Sequence, residues 1–105
     1  MLITQKIQEA LVRAGVNKEV IEVASYEGYD NIAYGIVIKE DDYLVTISCY
    51  SEDEVDIMIS KQVNIDFSRI AATLNEWNGT YRGANFFFDQ GYVTLRVSCN
   101  RIGGN

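Results

Sequence analysis

The alternation of apolar and polar residues changes its period several times along the chain, and these changes mark the predicted elements. Apolar residues recur at helical spacing in two segments and with a period of two in the segments that follow each of them. The predicted order is a helix, three strands and a short fourth strand, a second helix, and two further strands. This order indicates an α+β fold, with one antiparallel sheet of about five strands and the helices packed on one face.

The first helix is predicted over Leu2–Ala14, where apolar residues form a single stripe. Gly15 is expected to end this helix, with Val16 making the apolar contact that accompanies such an end. Thr4 is an alternative N-cap, which would shorten the helix by one turn. The stripe consists of Ile3, Ile7, Ala10, Leu11 and Ala14.

The second helix is predicted over Asn64–Gly79, and we expect it to organise the fold as a lid on the sheet. Asn64 or Asp66 is expected to cap its start, and Gly79 to end it in a left-handed conformation. The apolar stripe points inward, so the tryptophan on it is expected to lie in the core. Its members are Phe67, Ile70, Ala71, Leu74 and Trp77.

Period-two alternation predicts the strands, which are joined by polar turns. The fourth strand is preceded by acidic residues, and charge of this kind is typical of an exposed edge strand. A loop is expected at Tyr26–Asn31, and hairpin turns at Lys39–Asp42 and Asp89–Gly91. The strands are predicted at 19–25, 32–38, 43–50, 55–60, 84–88 and 91–97, followed by a loop-like tail at 101–105.

Composition and charge restrict the classes of partner. The 105 residues predict a single domain with one core, and 48% of them are apolar. The formal charge of −6 disfavours binding to nucleic acid and to anionic membrane surfaces, whereas basic or apolar protein partners remain open. The first residues do not resemble a signal peptide, so a cytoplasmic location is expected.

The residue types present favour a function without catalysis. The chain has no histidine and no glycine-rich phosphate-binding motif, so we expect no catalytic residue, no metal site and no cofactor. Cys49 and Cys99 are expected to be reduced, buried residues. Acidic residues cluster at Glu40–Asp42 and at Glu52–Asp56, and we expect them to be solvated charges at turns. A small enzyme that uses paired carboxylates is the competing hypothesis.

Tyrosines mark the predicted protein-binding region. Tyr26, Tyr29 and Tyr34 crowd one part of the chain, and tyrosine is enriched at interfaces because it combines a large apolar ring with a polar tip. The alternative is that these tyrosines reflect only the strand propensity of the residue. We predict partner contacts at these three tyrosines and at Asp53 and Glu54.

The end of the second helix carries a resemblance to a known family. The run Leu74-Asn75-Glu76-Trp77-Asn78, followed by a short loop, the strand Phe86–Asp89, a turn, another strand and Gly103-Gly104, resembles the YbjN domain family of bacteria. This resemblance implies a fold like that of type III secretion chaperones and a chaperone-like or regulatory role, without catalytic residues. Asn75 and Asn78 are expected to cap the helix or to hold the following loop.

One departure from the family affects the expected assembly. Family members continue past the two glycines into a final helix, whereas this sequence ends at Asn105, as a truncated form or a short member would. Without that helix, sheet surface near Val93, Leu95 and Val97 would be open unless the first helix covers it, so a homodimer is expected.

We therefore expect a chaperone-like or regulatory protein-binding domain of a bacterial cytosolic protein. The alternative is an acidic inhibitor or immunity-type protein that masks a basic site on its partner.

Overall fold

The computed structural model describes residues 1–100, and within them it shows an α+β fold built on one six-stranded antiparallel sheet. The predicted tail at 101–105, including Gly103-Gly104, lies outside the described residues. The strands lie in the order β1-β2-β3-β4-β6-β5. The elements are α1 (Leu2–Arg13), a 3-10 turn (Lys18–Val20), β1 (Glu22–Tyr26), β2 (Tyr29–Ile38), β3 (Asp41–Ser51), β4 (Glu54–Gln62), α2 (Phe67–Thr80), β5 (Ala84–Asp89) and β6 (Tyr92–Asn100).

The register divides the sheet into a helix-covered face and an open face. Successive side chains of a strand point to opposite faces, and residues that pair across strands share a face. Val45 pairs with Ile59, which pairs with Leu95, which in turn pairs with Phe86. Both helices pack on the face that carries these residues, as predicted. The open face carries many hydroxyl and charged side chains, as is common in antiparallel sheets.

The main core lies under α1. Ile32, Val45, Ile47 and Cys49 are buried there, and three residues of the α1 stripe pack against them. Those residues are Ile3, Ile7 and Leu11. The expectation that the fold is organised around the second helix is therefore wrong. That helix packs chiefly on β5, at one side of the sheet.

The end of α1 is confirmed, and its proposed N-cap is wrong. Gly15 has a φ of 106°, and its N–H donates to the Val12 carbonyl oxygen at 3.1 Å. The N–H of Val16 donates to the Leu11 carbonyl oxygen at 3.0 Å, which completes a Schellman motif. Thr4 lies inside the helix and is buried, because its hydroxyl bonds to β2 rather than to the helix backbone.

Helix α2 differs from its prediction at both ends. It begins at Phe67 with Asp66 as N-cap residue, but the Asp66 side chain makes no capping hydrogen bond. Gly79 lies within the helix, because the N–H of Tyr81 still donates to the Trp77 carbonyl oxygen at 2.9 Å. Only Leu74 is buried on α2, and Trp77 remains 37% exposed, so the predicted burial of Trp77 in the core is wrong.

Strand β4 is central rather than an edge strand, which corrects the prediction made from its acidic start. It pairs with β3 on one side and β6 on the other, and the edges are β1 and β5. Glu54 lies at the very end of β4, opposite Asn100, so its charge stays at the rim of the sheet. The more central residues of β4, such as Ile57 and Ile59, are half-buried and pack near the core.

The two cysteines occupy different environments. Cys49 on β3 is buried, as predicted, whereas Cys99 on β6 is exposed, contrary to prediction. Both pair with Val55 of the intervening strand β4. Two strand spacings separate their backbones by about 10 Å. A disulfide requires Cα atoms within about 7 Å, so this geometry is too wide for one.

Candidate protein-binding surface

Three tyrosines form a continuous aromatic cluster at one end of the sheet. The ring centroids of Tyr26 and Tyr29 lie 5.0 Å apart in a stacked arrangement, and those of Tyr29 and Tyr50 lie 5.6 Å apart. Tyr26 is 55% exposed and Tyr50 is 39% exposed. The cluster is therefore a preassembled aromatic surface, whose side chains already restrict one another before any partner binds.

Carboxylates lie in the two turns beside this cluster. Tyr26 pairs with Tyr29 across a two-residue turn that contains Glu27, and Ser51 pairs with Glu54 across the turn that contains Asp53. The Asp53 N–H donates to the Ser51 hydroxyl at 3.2 Å, which helps to hold that turn. We call Tyr26, Tyr29, Tyr50, Glu27, Asp53 and Glu54 the tyrosine–carboxylate patch; all are exposed except Tyr29, which is half-buried.

The structure separates Tyr34 from the other predicted contact residues. Tyr34 lies on the helix-covered face, packs against the core and pairs with Val45. Burial raises the pKa of its phenol. Tyr34 is turned away from the patch, so its predicted role in partner contact stays a prediction, while Tyr26, Tyr29, Asp53 and Glu54 lie together.

Sequence reasoning missed Tyr50 and Glu27. The sequence predicts a four-residue turn between β2 and β3, whereas Ile38 pairs with Asp41 across only two residues. This difference shifts the register by two residues, and the observed register brings Tyr50 beside Tyr29. The positive φ values of Lys39 (50°) and Glu40 (72°) permit the tight turn, although neither residue signals such a turn in the sequence.

Two further carboxylates near the patch anchor the start of α1. The Ile3 N–H donates to a Glu52 carboxylate oxygen at 3.1 Å, and the Thr4 hydroxyl donates to Asp30 at 2.7 Å. The Thr4 hydrogen bond is the main reason that the pKa of Asp30 is lowered, with further contributions from the Met1 ammonium group and Ser25. Negative charge at a helix N-terminus is stabilising, so these two residues have a structural role.

The Leu74–Asn78 run joins α2 to the outer strand of the sheet. The Asn78 side-chain amide donates to the Phe86 carbonyl oxygen at 2.8 Å, and its oxygen accepts from the Phe86 N–H. The Trp77 ring packs edge-on against the Phe86 ring at 5.3 Å. Asn78 therefore holds strand β5, and not the loop that was predicted as its partner. Leu74 is buried, and the side chains of Asn75 and Glu76 are exposed.

The two acidic clusters lie at opposite ends of β3. Glu40 and Asp42 lie at one end of β3, and Asp53 and Glu54 lie beyond its other end. Within residues 1–100, no group of three or more aspartate, glutamate or cysteine side chains is arranged to hold a metal ion. No helix in this part of the chain is long and apolar enough to cross a membrane.

Comparison with known proteins leaves the family open. No protein-family model matches the chain, and no curated protein matches it significantly. The resemblance to the YbjN domain family and to type III secretion chaperones therefore stays a prediction.

Proposed function

We propose that this chain is a chaperone-like or regulatory protein-binding domain, rather than an enzyme, and that the tyrosine–carboxylate patch holds a basic segment of its partner. The observation that carries this proposal is the cluster of Tyr26, Tyr29 and Tyr50, of which Tyr26 and Tyr50 are exposed, beside the carboxylates of two turns. A bacterial cytoplasmic location and the ability to form a homodimer belong to the same proposal.

The chemistry of the patch favours arginine-containing segments. Aromatic faces attract guanidinium groups, and carboxylates such as Glu27 and Glu54 accept hydrogen bonds from them. Tyrosine supplies a large contact area at a small cost in side-chain entropy, and the mutual stacking of Tyr26 and Tyr29 lowers that cost further. The net charge of −6 would also accelerate the encounter with a basic partner.

The alternative function, an inhibitor that masks a folded basic site, would use the same carboxylates. The two functions differ in what the partner must be. A chaperone-like domain binds an extended segment, so a short basic peptide is a sufficient ligand. An inhibitor recognises a preformed surface, so a peptide without that surface would bind weakly and only the folded partner would bind tightly.

Matched charge variants test the proposal. The probe is a ten-residue peptide of alternating arginine and leucine, and its affinity is measured by calorimetry at low and at physiological salt. The double variant Asp53→Asn with Glu54→Gln should weaken binding about tenfold, because two carboxylates next to the tyrosines are lost. The affinity of the unmodified chain should fall as salt screens the charges.

The control is the double variant Glu40→Gln with Asp42→Asn, which changes the net charge equally at the opposite end of β3. Its affinity for the peptide should stay within about twofold of that of the unmodified chain, because short-range contacts decide peptide binding more than the overall charge does. Equal weakening by both double variants would mean that the peptide responds only to net charge, and would refute the proposed site.

A further inference from the structure

A concave site lies between α2 and the middle of the sheet. Its volume is about 370 Å³, and it lies on the helix-covered face, away from the tyrosine–carboxylate patch. Ile59, Val93 and Leu95 contribute from the sheet, and Ile70 and Trp77 contribute from α2. Its size falls in the usual range for small-molecule sites, and most of its lining is apolar, as such sites usually are.

One positively charged side chain makes this cavity suited to a ligand with a negative charge. Among the described residues, Lys61 is the only charged one that lines it. The Lys61 ammonium group lies 3.2 Å from an Asp41 carboxylate oxygen and 5.6 Å from the centroid of the Tyr43 ring, which also lines the cavity. Both partners of this ion pair are more than one-third exposed, so the pair is weak and its carboxylate can be replaced by another.

We propose that this cavity binds a small amphiphile with a single carboxylate, such as a medium-chain fatty acid. The apolar body lies between Trp77 and the sheet residues Val93 and Leu95, and the ligand carboxylate takes the place of Asp41 on the Lys61 ammonium group. The volume equals that of about twelve molecules of liquid water, which is enough for an apolar chain of roughly ten carbons. This site is independent of the proposed peptide-binding function.

Decanoate and decanol are the matched probes, both used below their aggregation concentrations. Trp77 is the only tryptophan, so its fluorescence reports occupancy of the cavity directly. Decanoate should change the Trp77 emission saturably and should bind about tenfold more tightly than decanol, because only decanoate can pair with Lys61. Equal affinity for the two probes, or no saturable change with decanoate, would overturn the proposal.

Substitutions of Lys61 and of Asp41 should change the affinity for decanoate in opposite directions. Lys61→Met keeps the apolar stem and should weaken decanoate binding about tenfold while leaving decanol unchanged. Asp41→Asn removes the competing carboxylate and should strengthen decanoate binding several-fold. Asp42→Asn is the control, because the neighbouring residue points to the open face, and it should change neither affinity. Decanoate binding that is insensitive to both Lys61→Met and Asp41→Asn would overturn the proposal.

A second copy of the chain is the competing occupant of this cavity. Light scattering would then give a molar mass of two chains, and decanoate would produce no saturable change at Trp77 in that dimer. This result would overturn the small-molecule proposal. Val93→Phe, which places a ring in the cavity, should abolish binding of both probes; a thermal melt shows whether the variant is folded. Retained decanoate affinity in the folded variant would also contradict the site.

Discussion

The two hydrogen bonds between Asn78 and the Phe86 backbone make a specific prediction about stability. Strand β5 pairs only with β6, so the backbone N–H and C=O groups along its outer edge must bond to side chains or to water. A hydrogen bond contributes about 0.5–1.5 kcal/mol net. Both bonds are exposed, and water can partly replace them, so Asn78→Ala should lower the free energy of unfolding by about 1–2 kcal/mol. In a domain of this size that loss lowers Tm by roughly 4–16 °C.

The matched control is Asn75→Ala, which makes the same chemical change about one turn earlier on α2. Asn75 is exposed, and alanine has the higher helix propensity, so this variant should be neutral or slightly stabilising. Urea denaturation gives both free energies, and hydrogen exchange at the Phe86 amide should accelerate only in Asn78→Ala. Equal losses in the two variants, or unchanged exchange at Phe86, would refute the proposed role of Asn78.

Three further predictions test separate parts of the structure. In the native protein a thiol reagent should modify exposed Cys99 promptly, whereas Cys49, whose thiol pKa is raised by burial, should react only on unfolding; equal rates would contradict the assigned burial. The second prediction concerns Asp30, whose pKa in the folded protein is lowered by Thr4. The resulting stabilisation of the fold is present above about pH 4 and is lost as the pH falls through the pKa that Asp30 has in the folded protein. The denaturation midpoint measured from pH 5 to pH 2 should therefore depend less on pH in Thr4→Val, and an unchanged pH dependence would contradict this. The third prediction concerns Glu40, whose positive φ is strained for a residue with a Cβ atom. Glu40→Gly should therefore raise the free energy of unfolding, measured in urea, by about 1 kcal/mol, and a lower free energy of unfolding would show that the turn is not strained.

Local chemistry explains which parts of the fold were predictable. The stripe of α1 and the positive φ of Gly15 follow from helical periodicity and from the conformational freedom of glycine. The last hairpin was predictable for the same kind of reason, because Gly91 adopts the positive φ that its tight turn requires. Such features depend on a few neighbouring residues, so a sequence pattern is sufficient to identify them.

The errors arose where long-range contacts decide the outcome. The acidic start of β4 is typical of an edge strand, but its position between β3 and β6 depends on pairing with residues far along the chain. The burial of Trp77 depends on how much of the sheet α2 covers, and periodicity gives only the direction of the stripe.

The candidate site was predictable in part. Tyr26 and Tyr29 lie together because Gly28 permits a two-residue turn between them, so the predicted loop over Tyr26–Asn31 is wrong. Asp53 and Glu54 belong to a neighbouring turn of the sheet. Tyr50 lies beside them because of the β2–β3 register. Predicting four residues instead of two for the β2–β3 turn shifts this register by two residues and so separates Tyr50 from Tyr29.

The most direct test of the central claim is an NMR map of where the arginine–leucine peptide binds. We expect saturable shifts of backbone amides at Tyr26, Tyr29, Tyr50 and Glu54, with small shifts around Glu40 at the other end of β3. The substitution Tyr50→Leu should weaken binding, because it removes one ring of the aromatic cluster while keeping an apolar side chain. Shifts of equal size at both ends of β3, or full affinity in Tyr50→Leu, would contradict the claim that the tyrosine–carboxylate patch is the binding site.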